Sequence, residues 1–385
     1  MKKYFPASIY PLYQAFGEGK IKGFTVPAFN LRTLTFDQAK LIFQLAKKYQ
    51  TAAFIFEISP GEMIYTNQSQ KEYVKAIITA AHDENYQGPI FIQGDHYQFS
   101  FKNYQTNQKK EIERLKVLIK RSIAAGFYNI DIDASTLVEL EKPTLNEQQK
   151  NNYQMTALLT KYIRSIQPKE VTISIGGEIS HIGGKNSTPE EFEAFMQGYL
   201  KEIRNSKLEI LKLIGISKIS VQTGTSHGGI PLFDGTIAKV NPDFNVLKKI
   251  SNIAQNKYQI GGAVQHGAST LPNELFDQFP KNNTLEIHLA TGFQNILYDY
   301  LPKNLKNEIY QWLKTNFKNE WKEGQVEDQF IYKTRKKALG PFKEKIHNLT
   351  AKEKKPILKE LKKLFSLYFE KFNIKNTLEI VKSLC

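Results

Sequence analysis

Short apolar, β-branched runs alternate along the chain with stretches of helical period. GFTVPAFN (23–30) reads as a strand and precedes a helix over 36–48, where Ala39, Ile42, Leu45 and Ala46 share one face. TAAFIFEIS (51–59), GPIFIQGDH (88–96) and NIDIDAS (129–135) read as the next strands, followed by helices near 71–83, 108–125 and 147–166. EVTISIGGEI (170–179) precedes STPEEFEAFMQGYLKEI, which opens a helix with a Ser/Thr cap and an early Pro. SKISVQTG (217–224), YQIGGAVQHG (258–267) and NTLEIHLATG (283–292) complete the strands, with DFNVLKKISNIAQ and LPNELFDQF as the helices between them. Continuous apolar strands are those of a parallel sheet covered on both faces. Eight strand–helix units in about 300 residues match a (β/α)8 barrel, an α/β fold of the TIM type. An open doubly wound sheet is the alternative, but no G-x-G-x-x-G follows the first strand and no phosphate-loop motif occurs.

After residue 300 the pattern becomes helical throughout. Leu358, Leu361, Phe365 and Tyr368 form a stripe with lysines between them. The expected organisation is a barrel over 1–300 that carries the site, and a basic helical extension over 301–385. No repeat of solenoid length and no low-complexity segment interrupts it.

The chain has 385 residues, of which 41% are hydrophobic, which excludes a disordered polymer. No apolar run approaches the roughly 18–20 residues of a membrane span, and the first twenty residues lack the apolar stretch of a signal peptide. The one cysteine, Cys385, allows neither an internal disulfide nor a cysteine metal site. The expected compartment is the cytoplasm.

The net charge is +15, and its placement is uneven. The first 300 residues hold 33 Lys/Arg and 28 Asp/Glu, whereas the last 85 hold 20 and 10. A basic tail suits nucleic acid, anionic lipid or an anionic small molecule, or is simply a solvated helical surface. No nucleic-acid recognition motif accompanies it.

In a barrel the chemistry sits at the C-terminal ends of the strands. His96, His227, His266 and His288, four of seven histidines, fall at or near that rim, as do Asp133 and Glu178. Three imidazoles and an open position make a catalytic zinc arrangement. Asp95 beside His96 is a proton carrier or an anchor for an imidazole, and alternation along a strand sends the two to opposite sides. Gly228, Gly229 and Gly267 allow close approach of a ligand to the backbone.

With these motifs in place the chain resembles the class II, metal-dependent fructose-bisphosphate aldolases over residues 23–296. The matching segments are AFN at 28–30, Ser59 in EISPGE, GDH at 94–96, IDAS at 132–135, GGEISHIGG at 176–184, GTSHG at 224–228 and QHGAS at 265–269. The resemblance implies a zinc or other divalent ion on His96, His227 and His266, with Glu178 as a further or alternating ligand and Asp133 near an alternative metal position. A monovalent cation is a further candidate. Asp95 would be the catalytic proton carrier. Asn30, Ser59, Gly228, Gly267, Ser269, His288 and Thr291 would contact substrate, a sugar phosphate. A homodimer or homotetramer is the expected assembly, and no nucleic-acid or membrane partner is expected.

The departures define the questions. The acidic residue that serves the family as base after the double glycine is replaced, in Gly184-Lys185-Asn186, by an amide that cannot take a proton. No basic residue closely follows His227. The eighth strand reads His288-Leu289-Ala290-Thr291 where the family carries Asn-Ile-Asp/Asn-Thr. The basic cluster YKTRKK (332–337) offers a remedy, with Arg335 or a neighbouring lysine supplementing the phosphate site.

Overall fold

The computed structural model describes residues 4–180, 184–204, 214–225 and 240–385. Among the described residues there are nine parallel strands: β1 (Pro6–Ala7), β2 (Val26–Asn30), β3 (Ile55–Ile58), β4 (Ile90–Gln98), β5 (Asn129–Asp133), β6 (Ser174–Glu178), β7 (Lys218–Val221), β8 (Ala263–Gln265) and β9 (Glu286–Leu289). β2 through β9 pair in order, and β9 pairs back onto β2, which closes an eight-stranded barrel. The predicted (β/α)8 fold is therefore the observed one.

β1 lies outside the ring. It pairs with β4 at Ile90 and Phe91, below the point where β5 joins at Gln93. The helix that follows it, Tyr10–Gly17, buries Leu12, Tyr13 and Phe16 against the N-terminal end of the barrel. The hydroxyl of Tyr13 donates to the Glu286 carboxylate inside. Neither element is expected from the apolar pattern, because each is too short to show a period.

The wall also differs from the simple alternation after β8. LPNELFDQF forms only a 3-10 turn, Asn273–Leu275, and Gln278–Lys281 makes a single helical turn. Pro272 and Pro280 lack backbone N–H donors, which leaves little room for a long helix. The C-terminal helix Ala351–Lys371 covers this stretch instead. Tyr368 meets the Phe276 ring edge-on at 4.9 Å, and Phe365 meets Phe29 of β2 at 5.4 Å. The stripe of Leu361, Phe365 and Tyr368 is buried there, as its helical spacing predicts. Among the described residues no helix is long and apolar enough to cross a membrane.

Candidate active site

The site begins at a break in β4. Its register against β5 shifts between Gly94 and Tyr97, and His96 takes a left-handed backbone with φ of 47°. Gly94 is required there, because a Cβ at that position would lie 2.3 Å from the Tyr97 ring. The bulge overturns the expected alternation: Asp95 and His96, adjacent in sequence, both line one cavity of about 660 Å³ at the C-terminal ends of the strands.

His96 Nδ1 lies 3.1 Å from Asp133 Oδ2 and 3.4 Å from Glu178 Oε2. Its Nε2 lies 3.8 Å from Asp95 Oδ2, and its ring centroid is 4.7 Å from that of His266. Two overlapping groups result, each close enough to share one cation: Asp95, His96 and His266, and His96, Asp133 and Glu178. The ligands are held from behind. Asp133 accepts from the Ser135 hydroxyl at 2.7 Å and from Gln98 at 2.6 Å, and His266 Nε2 is 3.0 Å from Ser220 Oγ. Among the described residues Glu178 Oε1 is buried without a hydrogen-bond partner, which fits an oxygen available to a metal. His227, Gly228 and Gly229 lie outside the described residues.

Burial pushes the Glu178 carboxyl up to about 8, and the neighbouring Asp133 adds to that rise. Burial opposes ionisation of Asp95 as well, but His96 and His288 outweigh it and hold that carboxyl well below the usual range. Two carboxyls in one cavity are thus driven in opposite directions, which is how acid and base roles are separated.

The match to the family model for class-II fructose-bisphosphate aldolase spans residues 11–356. This chain belongs to that family. It is an aldolase, a lyase, and its family is generally metal-dependent. Solved structures of similar fold share little sequence with it. The YdjI aldolase of Escherichia coli K12 is 12% identical with a TM-score of 0.58, covering 97% of this chain and all of its own. The fructose-bisphosphate aldolase of Campylobacter jejuni is 16% identical with a TM-score of 0.56, over 97% and 96% of the two chains. The fructuronate-tagaturonate epimerase UxaE of Cohnella laeviribosi is 10% identical with a TM-score of 0.68, over 96% and 83%. No curated protein matches the chain in sequence.

The remaining predicted residues of this aldolase mostly gather in the same cavity. Asn30, Ser59, Gly267, Ser269, His288 and Thr291 all line it. Asn30 donates to Glu62 Oε2 at 2.7 Å, and Ser59 caps the helix Pro60–Tyr65 through a box with the same Glu62. Ser269 Oγ accepts from the Ala290 N–H at 2.6 Å. Gly267 has φ of 69°, a conformation open to glycine. Asn186 is not among the lining residues, and Glu191 closes a capping box with Thr188 at the start of its own helix.

Arg335 does not line the cavity. Its guanidinium lies 4.3 Å over the Tyr332 ring and 5.1 Å over Tyr298, and it donates to Asn295. The next residue, Lys336, does line it. Burial and the nearby Arg32 push the Lys336 ammonium down, and it has no carboxylate or hydrogen-bond partner among the described residues. Arg32, also on the wall, is paired with Glu62 at 2.7 Å.

Two charged residues that the sequence motifs do not single out also face the interior. Glu57 of β3 lines the cavity 2.9 Å from His288 Nδ1. Lys218 of β7 is fully buried in the barrel interior, bonded to Asp131, Glu286 and Gln93. The signal for both was a single charged residue within an apolar strand, in FIFEIS and SKISV.

Proposed function

We propose that this aldolase cleaves and forms ketose phosphates, with fructose 1,6-bisphosphate as the first candidate and dihydroxyacetone phosphate and glyceraldehyde 3-phosphate as its products. The observation that carries this reading is the convergence of Asp95, His96, Asp133, Glu178 and His266 on one cavity. Their buried nitrogen and oxygen donors fit a zinc or similar divalent ion, which His96, His266 and Glu178 would hold together with His227. When bound, such an ion supplies Lewis acidity toward the ketose carbonyl and offsets the negative charge of the enediolate.

The chain's own residues handle the proton. Asp95, kept ionised, is suited to accept the hydrogen of the hydroxyl at the bond to be broken. As that O–H becomes an aldehyde carbonyl, the carbon–carbon bond breaks and its electron pair moves into the dihydroxyacetone half. A proton delivered to the enediolate carbon, in balance with the one taken up by Asp95, completes the reaction. Lys336, with Arg32 beside it and the Ser59 cap close by, supplies a cationic corner for a phosphate. This gives the expected basic supplement to Lys336 within the chain, with Arg335 stacked against tyrosines instead.

A ketose phosphate other than fructose 1,6-bisphosphate is the second reading, and His288 favours it. It replaces an amide on the wall with a larger imidazole. Purified protein with Zn2+ should release triose phosphate from one member of a panel of ketose bisphosphates, monophosphates and unphosphorylated ketoses. A chelator should stop it. Cleavage of none of them would remove both readings and leave a catalytically silent barrel.

A further inference from the structure

The barrel interior gathers six buried carboxyl groups around the cavity and its floor. Glu57, Asp95, Asp131, Asp133, Glu178 and Glu286 are each 5% exposed or less. Inside the barrel, among the described residues, they face one fixed cation, Lys218, and the imidazoles of His96, His266 and His288. A buried carboxylate is costly unless a proton, a hydrogen-bond donor or a cation compensates it, so the place where such compensation is thinnest is a candidate cation site.

The hydrogen bonds show where it would sit. Lys218 Nζ lies 2.6 Å from Glu286 Oε1 and 3.0 Å from Asp131 Oδ2. This lysine keeps Glu286 ionised and therefore an acceptor. His288 Nε2 is 2.6 Å from the same Glu286 oxygen and donates its N–H to it. In that tautomer the Nδ1 lone pair faces Glu57 Oε2 at 2.9 Å and Asp95 Oδ1 at 3.4 Å. His288 Nδ1 and Asp95 Oδ1 are both buried, and among the described residues neither makes a well-aligned hydrogen bond. A lone pair opposite two carboxylate oxygens is repulsive unless a proton or a metal cation lies between them. Bonds of about 2.0–2.2 Å around one ion give ligand separations of about 3.0–3.5 Å, close to the 2.9 and 3.4 Å from Nδ1 to the two carboxylate oxygens. Glu286 behind His288 completes the carboxylate–histidine–metal relay that orients an imidazole ligand.

We propose that Glu57, Asp95 and His288 form a second divalent-cation site beside the His96 cluster. Its one-nitrogen, two-carboxylate donor set suits a borderline ion such as Mn2+ or Zn2+. Asp95 belongs to both clusters, with Oδ1 toward His288 and Oδ2 toward His96. All three residues line the open cavity, so an ion can enter and water can complete its shell. The inference goes beyond the aldolase reading and does not depend on the substrate.

Metal content of the full-length chain tests it. The protein is stripped with a chelator, reloaded with Mn2+, and its content measured by plasma mass spectrometry and electron paramagnetic resonance. The expected result is about two ions per chain with a spin-coupled Mn2+ signal, reduced to about one uncoupled ion by Glu57→Gln. A wild-type chain that saturates at one uncoupled ion overturns the second site and leaves the family's metal in place, whereas no bound ion undermines both. Nitrogen NMR of the Zn2+-loaded wild type provides a reading that needs no variant. Protonation of both His288 nitrogens would overturn the proposal, because the imidazolium would then be the missing cation.

Discussion

Lys218 Nζ and Glu286 Oε1 lie 2.6 Å apart in the middle of the barrel, and neither side chain is exposed to water. The pair stands beneath the cavity, with His288 resting on its upper carboxylate oxygen. It joins the packing of the barrel to the orientation of a residue on the cavity wall.

Lys218→Met removes the cation and keeps much of the volume. Glu286 and Asp131 would then be buried without their partner. Breaking such a pair costs about 3–5 kcal/mol. Urea unfolding followed by circular dichroism should show a loss of this size, with the slope unchanged. Combining it with Glu286→Gln and Asp131→Asn should recover part of the loss, because the stranded charges are removed as well.

The bulge at Gly94 yields a second expectation. Gly94→Ala would put a Cβ 2.3 Å from the Tyr97 ring, and that ring is fixed by a 2.5 Å hydrogen bond from its hydroxyl to Ser122. Overpacking of this kind costs about 1–3 kcal/mol. The strain falls on the residues that turn Asp95 and His96 into the same cavity. Metal affinity should therefore drop along with stability, by about tenfold or more in a chelator competition. Tyr97→Leu in the same chain should restore part of both.

Glu178 sets a pH dependence. Its carboxyl is pushed up to about 8 by burial, from an ordinary 4.5. A raised folded value stabilises the metal-free fold below the unfolded value, and that contribution is lost as pH rises from 4.5 through 8. A cation needs the carboxylate, so binding below pH 8 releases the proton. His96 adds in the same direction. Burial disfavours its charged form, but Asp95 and Glu178 outweigh that and raise it above the ordinary histidine range. Metal affinity should accordingly rise by about tenfold or more per pH unit below 8. Chelator competition at several pH values measures the slope, and Glu178→Gln should flatten it.

The rim of the site was legible because glycine, aspartate and histidine interrupt apolar strands at their ends. GDH, IDAS and QHG mark the ends of β4, β5 and β8, and the structure brings their side chains within a few ångströms. The floor was not legible in the same way. Lone charges such as Glu57 and Lys218 barely change the hydropathy of FIFEIS and SKISV, and only barrel closure reveals that both bond to Gln93 in the interior. Asp95 and His96 defied strict alternation because a bulge depends on the neighbouring strand as well as on local sequence. The basic cluster at 332–337 was visible as charge. Which of its members faces the cavity depends on how the aromatic rings of Tyr298 and Tyr332 take up Arg335.

That division between Arg335 and Lys336 can be tested directly. Lys336 lines the cavity without an anionic partner, so a substrate phosphate would gain a charge-assisted contact there. Such contacts contribute about 1.5–3 kcal/mol, which corresponds to about 10- to 100-fold in KM. Lys336→Met should raise KM for the phosphorylated substrate by that factor. It should leave an unphosphorylated ketose, if cleaved, nearly unaffected. Arg335→Ala should instead lower stability by about 1–2 kcal/mol, through lost stacking on Tyr298 and Tyr332 and lost hydrogen bonding to Asn295. Its KM should stay near the wild-type value. A large KM increase in Arg335→Ala with none in Lys336→Met would reverse the assignment, and would point to Arg335 reaching the substrate of a neighbouring subunit.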